Sequence, residues 1–478
     1  MINSPGGTKD TDVFVRKRRV GEVVPVTFEV AERKMRPRAL SSPLVLILLA
    51  FITLIAIGAV LLSAPFSHHN PGFSSPVIAL FTATSAVTVT GLVVVETSAH
   101  WTTLGHGVIL LLMFVGGLGF MSLAAFLLAV LGQRVSIAQR LLIRETLSTD
   151  RIGGLQRLSV SIVVTAVVIQ IIGFFALFAR LLAEYEPGMA AWQSLFHAVS
   201  GFNNAGFVIF PEPTGMAAHQ SDIFLLTIMG TLIVLGTLSF WVVSDIATKR
   251  RFGLYSLVSK IVLLMTGILI IVAAAFVFVS EGSNPETLGR IPIGNKIAVS
   301  VFEGISGRTA GFSTFDYAYA RPATDVFISL MMFIGGATAS VAGGIKLTTF
   351  FVVVLSIYSI VKEKSHVTAF GREIDRLTIT RSYAVLIVCL AFSFFCTLAL
   401  AFTNSHILVR DLAFESVSAF GTVGLSTGAT AKLNITGQLI VTLTMLAGRI
   451  GPLLIGLKMV PNQDSASYRH ATETVTIG

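Results

Sequence analysis

The sequence contains four short segments that resemble one another, and these segments dictate the predicted architecture. The first reads FTATSAVTVTGL and spans Phe81–Leu92. The other three are FHAVSGFNNAGF at Phe196–Phe207, FEGISGRTAGF at Phe302–Phe312 and FESVSAFGTVGL at Phe414–Leu425. Each begins with Phe, has Ser four residues later and ends in Gly followed by Leu or Phe. The closing glycines are separated by 115, 105 and 113 residues, which predicts a fourfold internal repeat.

Each segment lies between two apolar runs, and a run of about 20 residues can cross a bilayer. The runs are 43–63 and about 104–132, 158–183 and 222–245, 258–280 and about 324–361, and 383–403 and 435–460. The short segments, with about 8–10 helical residues each, cannot cross at about 1.5 Å per residue. They must enter the membrane and return to the same side. We therefore predict an all-α polytopic membrane protein made of four helix–P-loop–helix repeats in parallel orientation.

These boundaries divide the chain into four repeats and two tails. The predicted divisions are a basic tail (1–42), repeat one (43–132, P-loop 76–92), repeat two (158–245, P-loop 191–207), repeat three (258–361, P-loop 295–312), repeat four (383–460, P-loop 409–425) and a C-terminal tail (461–478).

The composition supports a membrane protein and argues against an enzyme. Hydrophobic residues make up 54% of the chain and charged residues only 12%, about half the share of a soluble protein. The two cysteines, Cys389 and Cys396, lie in one apolar stretch and are expected to be buried and unpaired. The sequence has no Ser/His/Asp grouping, no paired buried carboxylates and no Cys or His spacing typical of a metal site.

The net charge of +9 is distributed as expected for a membrane protein, not for a nucleic-acid-binding one. Lys and Arg concentrate in 1–42, 133–157, 246–260 and 361–382. These segments precede or connect the repeats, so they lie on one face, which the positive-inside rule assigns to the cytoplasm. Both termini are then cytoplasmic, and the short segments enter from outside. The first 40 residues have no apolar core of a cleaved secretory signal.

Four re-entrant loops of one orientation are most simply accommodated pseudo-fourfold around a central pore, because non-helical backbone at membrane depth must face protein or water. Rings of backbone carbonyls from these loops could replace the water around a K⁺ ion. The short helices would direct their partially negative C-termini at the ion. The loops contain no ring of Asp or Glu, which argues against a filter for divalent cations. The alternative interpretation of the glycines is tight helix packing. The candidate filter residues are Thr88, Val89, Thr90, Gly91, Asn203, Asn204, Ala205, Gly206, Arg308, Thr309, Ala310, Gly311, Gly421, Thr422, Val423 and Gly424.

A glycine-rich break, GGATASVAGGIK at Gly335–Lys346, interrupts the second apolar run of repeat three. Such a stretch is a poor helix former, and unwound backbone in mid-membrane should line a cavity. We predict an intramembrane gate loop at 335–346; a simple kink is the alternative. The candidate gate residues are Gly335, Gly336, Ala337, Thr338, Ala339, Ser340, Gly343 and Gly344. Lys346 is expected to extend to the cytoplasmic interface.

Three charged residues lie within or beside the predicted membrane segments. Arg449 is in the last crossing, where it could form an electrostatic stop in the pore or pair with carbonyls of the broken segment. Glu303 and Glu415 directly follow the repeated Phe. They could attract cations or bond to backbone at the pore mouth, and the sequence leaves both possibilities open.

The four loop motifs, the break at 335–346 and Arg449 together resemble the Trk/Ktr/HKT superfamily of K⁺ transporters, over about residues 40–460. The resemblance implies a filter with one glycine per repeat, which matches Gly91, Gly206, Gly311 and Gly424. It also implies K⁺ preference, because some plant members that pass Na⁺ have Ser at the position of Gly91. The chain would be the membrane subunit of channel-like K⁺ uptake, with no organic cofactor of its own.

The resemblance also implies partners and a location. A basic tail replaces the two extra N-terminal crossings of TrkH-type members, so the chain resembles the KtrB type. That type implies a homodimer with one pore per subunit in the bacterial cytoplasmic membrane. It also implies a cytosolic KtrA/TrkA-type ring of nucleotide-binding regulatory subunits. A Na⁺-coupled or Na⁺-permeable cation symporter on the same scaffold remains the alternative.

Overall fold

The computed structural model describes residues 43–69, 72–119, 155–212, 214–338 and 340–458. The two predicted tails, the end of the second crossing of repeat one and the candidate gate residue Ala339 lie outside the described residues.

The described chain is mostly helical. The helices are α1 (Pro43–Ser63), α2 (Pro76–Thr88), α3 (Thr97–His100), α4 (Thr103–Leu118), α5 (Leu155–Leu181), α6 (Pro187–Phe202), α7 (Ile223–Thr237), α8 (Phe240–Lys249), α9 (Leu257–Glu281), α10 (Ile293–Thr309), α11 (Pro322–Phe333), α12 (Leu347–Val361), α13 (Arg376–Thr403), α14 (Val409–Gly421) and α15 (Ile435–Lys458). Short 3₁₀ turns occupy Gly215–His219, Phe252–Leu254, Tyr317–Tyr319 and Thr430–Lys432.

A small hairpin in the basic connection between repeats three and four was not predicted. Strand β1 (Thr368–Ala369) pairs antiparallel with β2 (Arg372–Glu373). Phe370 and Gly371 form the two-residue turn, and both have positive φ, as a type I′ turn requires.

Each repeat consists of a long first helix, a short helix and a second helix. The sets are α1, α2 and α4; α5, α6 and α7; α9, α10 and α11; and α13, α14 and α15. Within every repeat the short helix packs against the other two. The second helix of each repeat also packs against the short helix of the next, in the pairs α4–α6, α7–α10, α11–α14 and α15–α2. The last pair closes the cycle, because it joins repeat four to repeat one.

Burial follows this arrangement. The four repeated Phe residues are at most 2% exposed and anchor the short helices in the core; they are Phe81, Phe196, Phe302 and Phe414. Each long helix, in contrast, exposes large apolar side chains, such as Val60, Phe175, Ile271 and Phe402. Apolar side chains on this outer surface suit a lipid environment.

Within the described residues, four helices are long and apolar enough to cross a membrane, and they correspond to the first crossing of each repeat. The second crossings are less regular. The predicted crossing at 222–245 is divided into α7 and α8 with a bend of 100°, which the sequence analysis did not anticipate. The predicted break in repeat three is present, because α11 ends at Phe333 and α12 begins at Leu347. α15 is continuous despite Pro452 in its interior.

Some helix ends differ from the predicted bounds for identifiable reasons. The short helices have 13, 16, 17 and 13 residues, more than the expected number of about 8–10. α2 and α14 begin at the predicted P-loop starts, whereas α6 and α10 begin at Pro187 and Ile293, before the predicted starts at 191 and 295. Pro76 and Pro187 occupy the first turns of α2 and α6, where a missing N–H costs nothing. α13 begins at Arg376, well before the apolar run, because the Asp375 carboxylate caps the helix by accepting from the Thr378 amide at 3.0 Å.

Candidate functional site

The four repeat glycines lie beside one another in a closed cycle. A Cβ atom added to any of them would collide with the carbonyl oxygen that precedes the glycine of the next repeat. The pairs are Gly91 with Ala205 (2.4 Å), Gly206 with Ala310 (2.7 Å), Gly311 with Val423 (2.1 Å) and Gly424 with Thr90 (2.1 Å). All four glycines have φ between 71° and 100°, a conformation that side chains disfavour. The tertiary structure therefore brings the four glycines predicted for the filter together.

The loops of repeats one, two and four turn by means of a left-handed residue two positions before the glycine. Val89, Asn204 and Thr422 have φ of 59°, 56° and 50°. Within its described residues, repeat three has no such residue: α10 extends to Thr309, and Ala310 leads directly to Gly311. The missing left-handed residue explains why this segment is one residue shorter than the others.

The Ser residue found in all four segments bonds each loop to its short helix. Ser85 Oγ accepts from the Gly91 amide at 3.0 Å, and Ser418 Oγ accepts from the Gly424 amide at 3.1 Å. In the other two repeats the hydroxyl donates to the carbonyl that follows the glycine: Ser200 to Phe207 at 2.9 Å and Ser306 to Phe312 at 2.7 Å. The repeated Ser was recognised in the sequence, but its role in holding the loop was not.

Glu303 and Glu415 bond to the chain that follows each filter segment. Glu303 Oε1 accepts from the Thr314 amide at 2.6 Å, and Glu415 Oε1 accepts from the Thr427 amide at 3.0 Å. Both carboxylates are fully buried and accept further hydroxyl groups; the donors are Thr314, Tyr317, Ser426 and Thr430. These contacts favour the backbone-bonding interpretation over cation attraction.

His197 occupies the same position in repeat two, and the sequence analysis missed it. Its Nε2 lies 3.4 Å from the Ile209 amide, while Nδ1 lies 2.8 Å from the Gln193 carbonyl oxygen. An alignment of the four segments would have identified it, because it directly follows Phe196. In repeat one the equivalent Thr82 hydroxyl has no partner in the part of the chain that the structure describes.

Several buried polar atoms in the candidate filter segments have no protein partner among the described residues. They belong to the side chains of Asn203, Arg308 and Thr422, from three different repeats. The Asn204 amide, in contrast, lies 2.8 Å from Thr237 Oγ1 and 3.0 Å from Thr309 Oγ1, so it connects repeats two and three. Since buried polar groups are normally paired, the three orphaned side chains indicate a place where water can supply the partner.

The glycine-rich break folds back against the filter loops. Its two ends run parallel: the Gly335 amide donates to the Ile345 carbonyl at 2.9 Å. A Cβ atom at Gly343 would lie 2.1 Å from Thr422 Oγ1, so the break touches the loop of repeat four. The Ala337 amide donates to the Thr237 carbonyl at 3.2 Å, at the end of α7. Of the other predicted gate residues, Thr338 Oγ1 lies 3.2 Å from Thr348 Oγ1, and Ser340 Oγ donates to the Ala337 carbonyl.

Arg449 joins the break to repeat one. Its Nη1 donates to the Val341 carbonyl, and its Nη2 donates to the Gly116 carbonyl at 2.9 Å. Lys346 Nζ donates to the Ala342 carbonyl at 2.7 Å. The Lys346 side chain thus folds onto the break. This differs from the prediction that it extends to the cytoplasmic interface. Two cationic side chains therefore bond to neighbouring carbonyls of one short segment.

Glycines in three second helices permit close contact with the ends of the short helices. An added Cβ would lie 2.0 Å or less from a carbonyl oxygen in each case; the pairs are Gly116 with Val87, Gly236 with Phe202 and Gly448 with Phe420. Each carbonyl belongs to the residue four positions before the filter glycine. The packing interpretation thus applies to this second set of glycines, which the sequence analysis did not single out.

These features belong to a membrane transport protein for cations. The sequence profile of the TrkH family, described as a cation transport protein, matches residues 24–468. The chain belongs to the TrkH family, as its loop motifs predicted.

Among its relatives are potassium uptake proteins of several bacteria. The chain is 38% identical to the Ktr system potassium uptake protein B of Bacillus subtilis (strain 168), over 88% of this chain and 94% of the relative. It is 36% identical to the protein of the same name from Vibrio alginolyticus, over 91% and 94%. It is 34% identical to the potassium/sodium uptake protein NtpJ of Enterococcus hirae, over 93% and 99%. These relatives are transporters and not enzymes, in agreement with the sequence-based prediction.

The fold is shared with a solved structure. The crystal structure of the potassium transporter TrkH from Vibrio parahaemolyticus superimposes with a TM-score of 0.67 over 90% of this chain and 86% of that one. Its sequence identity is 18%, so the likeness concerns the fold alone.

Proposed function

We propose that this protein carries K⁺ into the cell, in a channel-like manner, through a pore that the four repeats surround. The observation that carries the proposal is the closed cycle of glycine–carbonyl contacts, which joins the four loops in the order one, two, three, four and back to one. A pseudo-fourfold ring with carbonyl oxygens near its axis is an arrangement that can replace the hydration shell of a monovalent cation.

The polar surroundings of the ring support a hydrated path. Asn203 and Thr422, in the candidate filter segments of repeats two and four, have buried polar atoms without protein partners among the described residues. The glutamates are fully engaged in bonds to the loops, so no free carboxylate among the described filter residues would favour a divalent ion. We assign cation binding to the carbonyls of the four filter segments.

K⁺ is the proposed ion because two close relatives are named potassium uptake proteins. A second candidate function is Na⁺-permeable or Na⁺-coupled transport on the same scaffold. The specific observation in its favour is the relative from Enterococcus hirae, which is named a potassium/sodium uptake protein.

The break at 335–346 is the proposed gate, and Arg449 is the residue proposed to hold the break in place. Arg449 lies in repeat four and donates to a carbonyl of the break in repeat three and to another in repeat one. It thereby connects one neighbouring repeat to the other. A guanidinium there would hold the break in place and repel a passing cation.

The relatives' names also support a multi-component system, since two of them are protein B of a Ktr system. We propose that the chain forms a homodimer and docks a cytosolic KtrA/TrkA-type ring. From the positive-inside pattern we propose that the basic connections and both termini lie on the cytoplasmic side of a bacterial cytoplasmic membrane, where this ring would dock.

The test is potential-driven cation flux in liposomes that contain the purified protein, measured for K⁺, Rb⁺ and Na⁺. Gly91→Ser should lower the preference for K⁺ over Na⁺, because the added side chain meets the Ala205 carbonyl and sits at φ +87°. Gly107→Ser, in the same repeat with open space at its Cβ position, is the matched control. Equal K⁺ and Na⁺ flux in the unaltered protein would favour the second candidate, and an unchanged preference in Gly91→Ser would refute the filter assignment.

A further inference from the structure

A cluster of ionisable side chains in repeat two lies away from the filter, on the side where α6 begins. Glu184 follows α5, His219 ends a 3₁₀ turn and Asp222 caps α7. Each offers one donor atom, and the three atoms lie within 4.8 Å of one another. Glu212 and Tyr185 border the cluster.

The orientation of His219 determines what the cluster can bind. Its side chain is only 3% exposed, and Nε2 lies 3.3 Å from the Tyr185 hydroxyl. That hydroxyl donates its proton to Glu212 Oε1 at 2.7 Å. The Tyr185 oxygen can therefore only accept from His219, which assigns the imidazole proton to Nε2.

The opposite ring nitrogen then presents a lone pair to a carboxylate. Nδ1 makes no hydrogen bond among the described residues, and it faces Glu184 Oε1 at 3.7 Å. Two acceptors at this distance repel each other unless a proton or a cation lies between them. The separation is longer than a hydrogen bond. It is close to the roughly 3.3–3.6 Å between two ligand atoms that share one Zn²⁺ at bond lengths of about 2.0–2.2 Å.

The charge balance also favours a bound cation. Glu184, Glu212 and Asp222 supply three carboxylates, and the guanidinium of Arg180 opposes them, with Nε 2.7 Å from Asp222 Oδ2. The three carboxylates outnumber the single guanidinium, so the cluster keeps an excess of negative charge. One imidazole and two carboxylates form a donor set that suits Zn²⁺ and similar ions better than Ca²⁺ or Mg²⁺, which prefer oxygen alone.

We propose that Glu184, His219 and Asp222 bind a divalent transition-metal cation of the Zn²⁺ type, and that Tyr185 positions the imidazole for it. The ion would connect the end of α5 to the start of α7. These two points bracket the loop that follows the filter segment of repeat two. The bound ion would therefore stabilise this loop against local unfolding.

The test measures metal binding by the full-length protein after removal of bound metal with EDTA, independently of transport. ZnCl₂ titration should show one saturable site per chain, and CoCl₂ should give the visible absorption of a low-coordinate Co²⁺ site. His219→Ala and Glu184→Gln should each lower Zn²⁺ affinity at least about tenfold, and Tyr185→Phe about tenfold through loss of imidazole positioning. Arg180→Gln should raise the affinity, by roughly tenfold, because a competing positive charge is removed.

The control is His100→Ala, which removes a different imidazole, one that stacks with His68 at a ring distance of 6.0 Å. It should leave the saturable site unchanged. Thermal unfolding in EDTA shows whether each variant is folded. The proposal is overturned if the unaltered protein binds no Zn²⁺, if His219→Ala binds as well, or if CaCl₂ competes equally. It is also overturned if acidification alone stabilises the protein in a His219-dependent manner without metal binding, because a proton would then fill the gap.

Discussion

The hydroxyl of Ser85 shows how single residues of the repeated motif act. It accepts a hydrogen bond from the Gly91 amide at 3.0 Å, and both residues are buried. The repeated Ser thus bonds the candidate filter backbone to its short helix in each repeat. The repeated Phe, in contrast, packs in the core beneath the loop.

We expect Ser85→Ala to lower selectivity between K⁺ and Na⁺ and to destabilise the protein by about 1–3 kcal/mol. The reason is that the buried Gly91 N–H loses its acceptor. Flux of both ions in liposomes and thermal unfolding measure the two effects. Ser98→Ala, at an exposed Ser that bonds to Glu96, is the control and should change neither. Unchanged selectivity in Ser85→Ala would show that the hydroxyl does not hold the loop.

At the scale of helices, the close contact between α4 and the end of α2 depends on Gly116. A Cβ atom there would lie 2.0 Å from the Val87 carbonyl oxygen. We expect Gly116→Ala to destabilise the protein by about 1–3 kcal/mol, since neither backbone can move without disturbing the filter. Gly107→Ala on the same helix meets open space and should stabilise by up to about 1 kcal/mol, as Ala favours a helix. Thermal unfolding of both variants measures the contrast, and shifts of the same sign would contradict it.

The break between α11 and α12 is held by Arg449, which belongs to another repeat. We expect Arg449→Ala to raise K⁺ flux by about tenfold in the absence of any cytosolic partner. The substitution removes the hydrogen bonds that hold the break and also removes a positive charge from the proposed path. Liposome flux at a fixed potential measures the increase. Arg290→Gln, an exposed Arg that pairs with Glu286, is the control and should leave flux unchanged. Lower flux in Arg449→Ala would indicate a structural role only.

At the scale of the whole molecule, the four glycines form one ring although the chain separates them by more than 100 residues each time. We expect Gly→Ala substitutions to impair K⁺ flux in all four repeats, most at Gly311 and Gly424, less at Gly91 and least at Gly206. This order follows the added Cβ distances of 2.1, 2.1, 2.4 and 2.7 Å. The positive φ adds a cost of about 1–2 kcal/mol in every case. Flux normalised to the amount of folded protein measures the order, and an effect confined to one repeat would argue against a shared pore.

The local pattern of the chain was sufficient for several conclusions. The four segments, their glycines and the break at 335–346 could be predicted, because hydrophobic period and glycine content act over a few residues. The prediction of membrane helices succeeded for the same reason. It failed at the bend between α7 and α8, because the apolar run continues through the break at 238–239 and contains no proline there. Gly236 lies two residues before the break, but an isolated glycine in an apolar helix does not by itself indicate a bend.

The contacts that define the candidate sites required the folded chain. Arg449 meets Gly116 across 333 residues, and the carbonyl that faces each glycine belongs to another repeat. His219 and Glu184 show no metal-ligand spacing in the sequence, yet they face each other at 3.7 Å. Hydrogen bonds and steric contacts depend on distances of a few tenths of an ångström, and only packing among distant helices sets those distances.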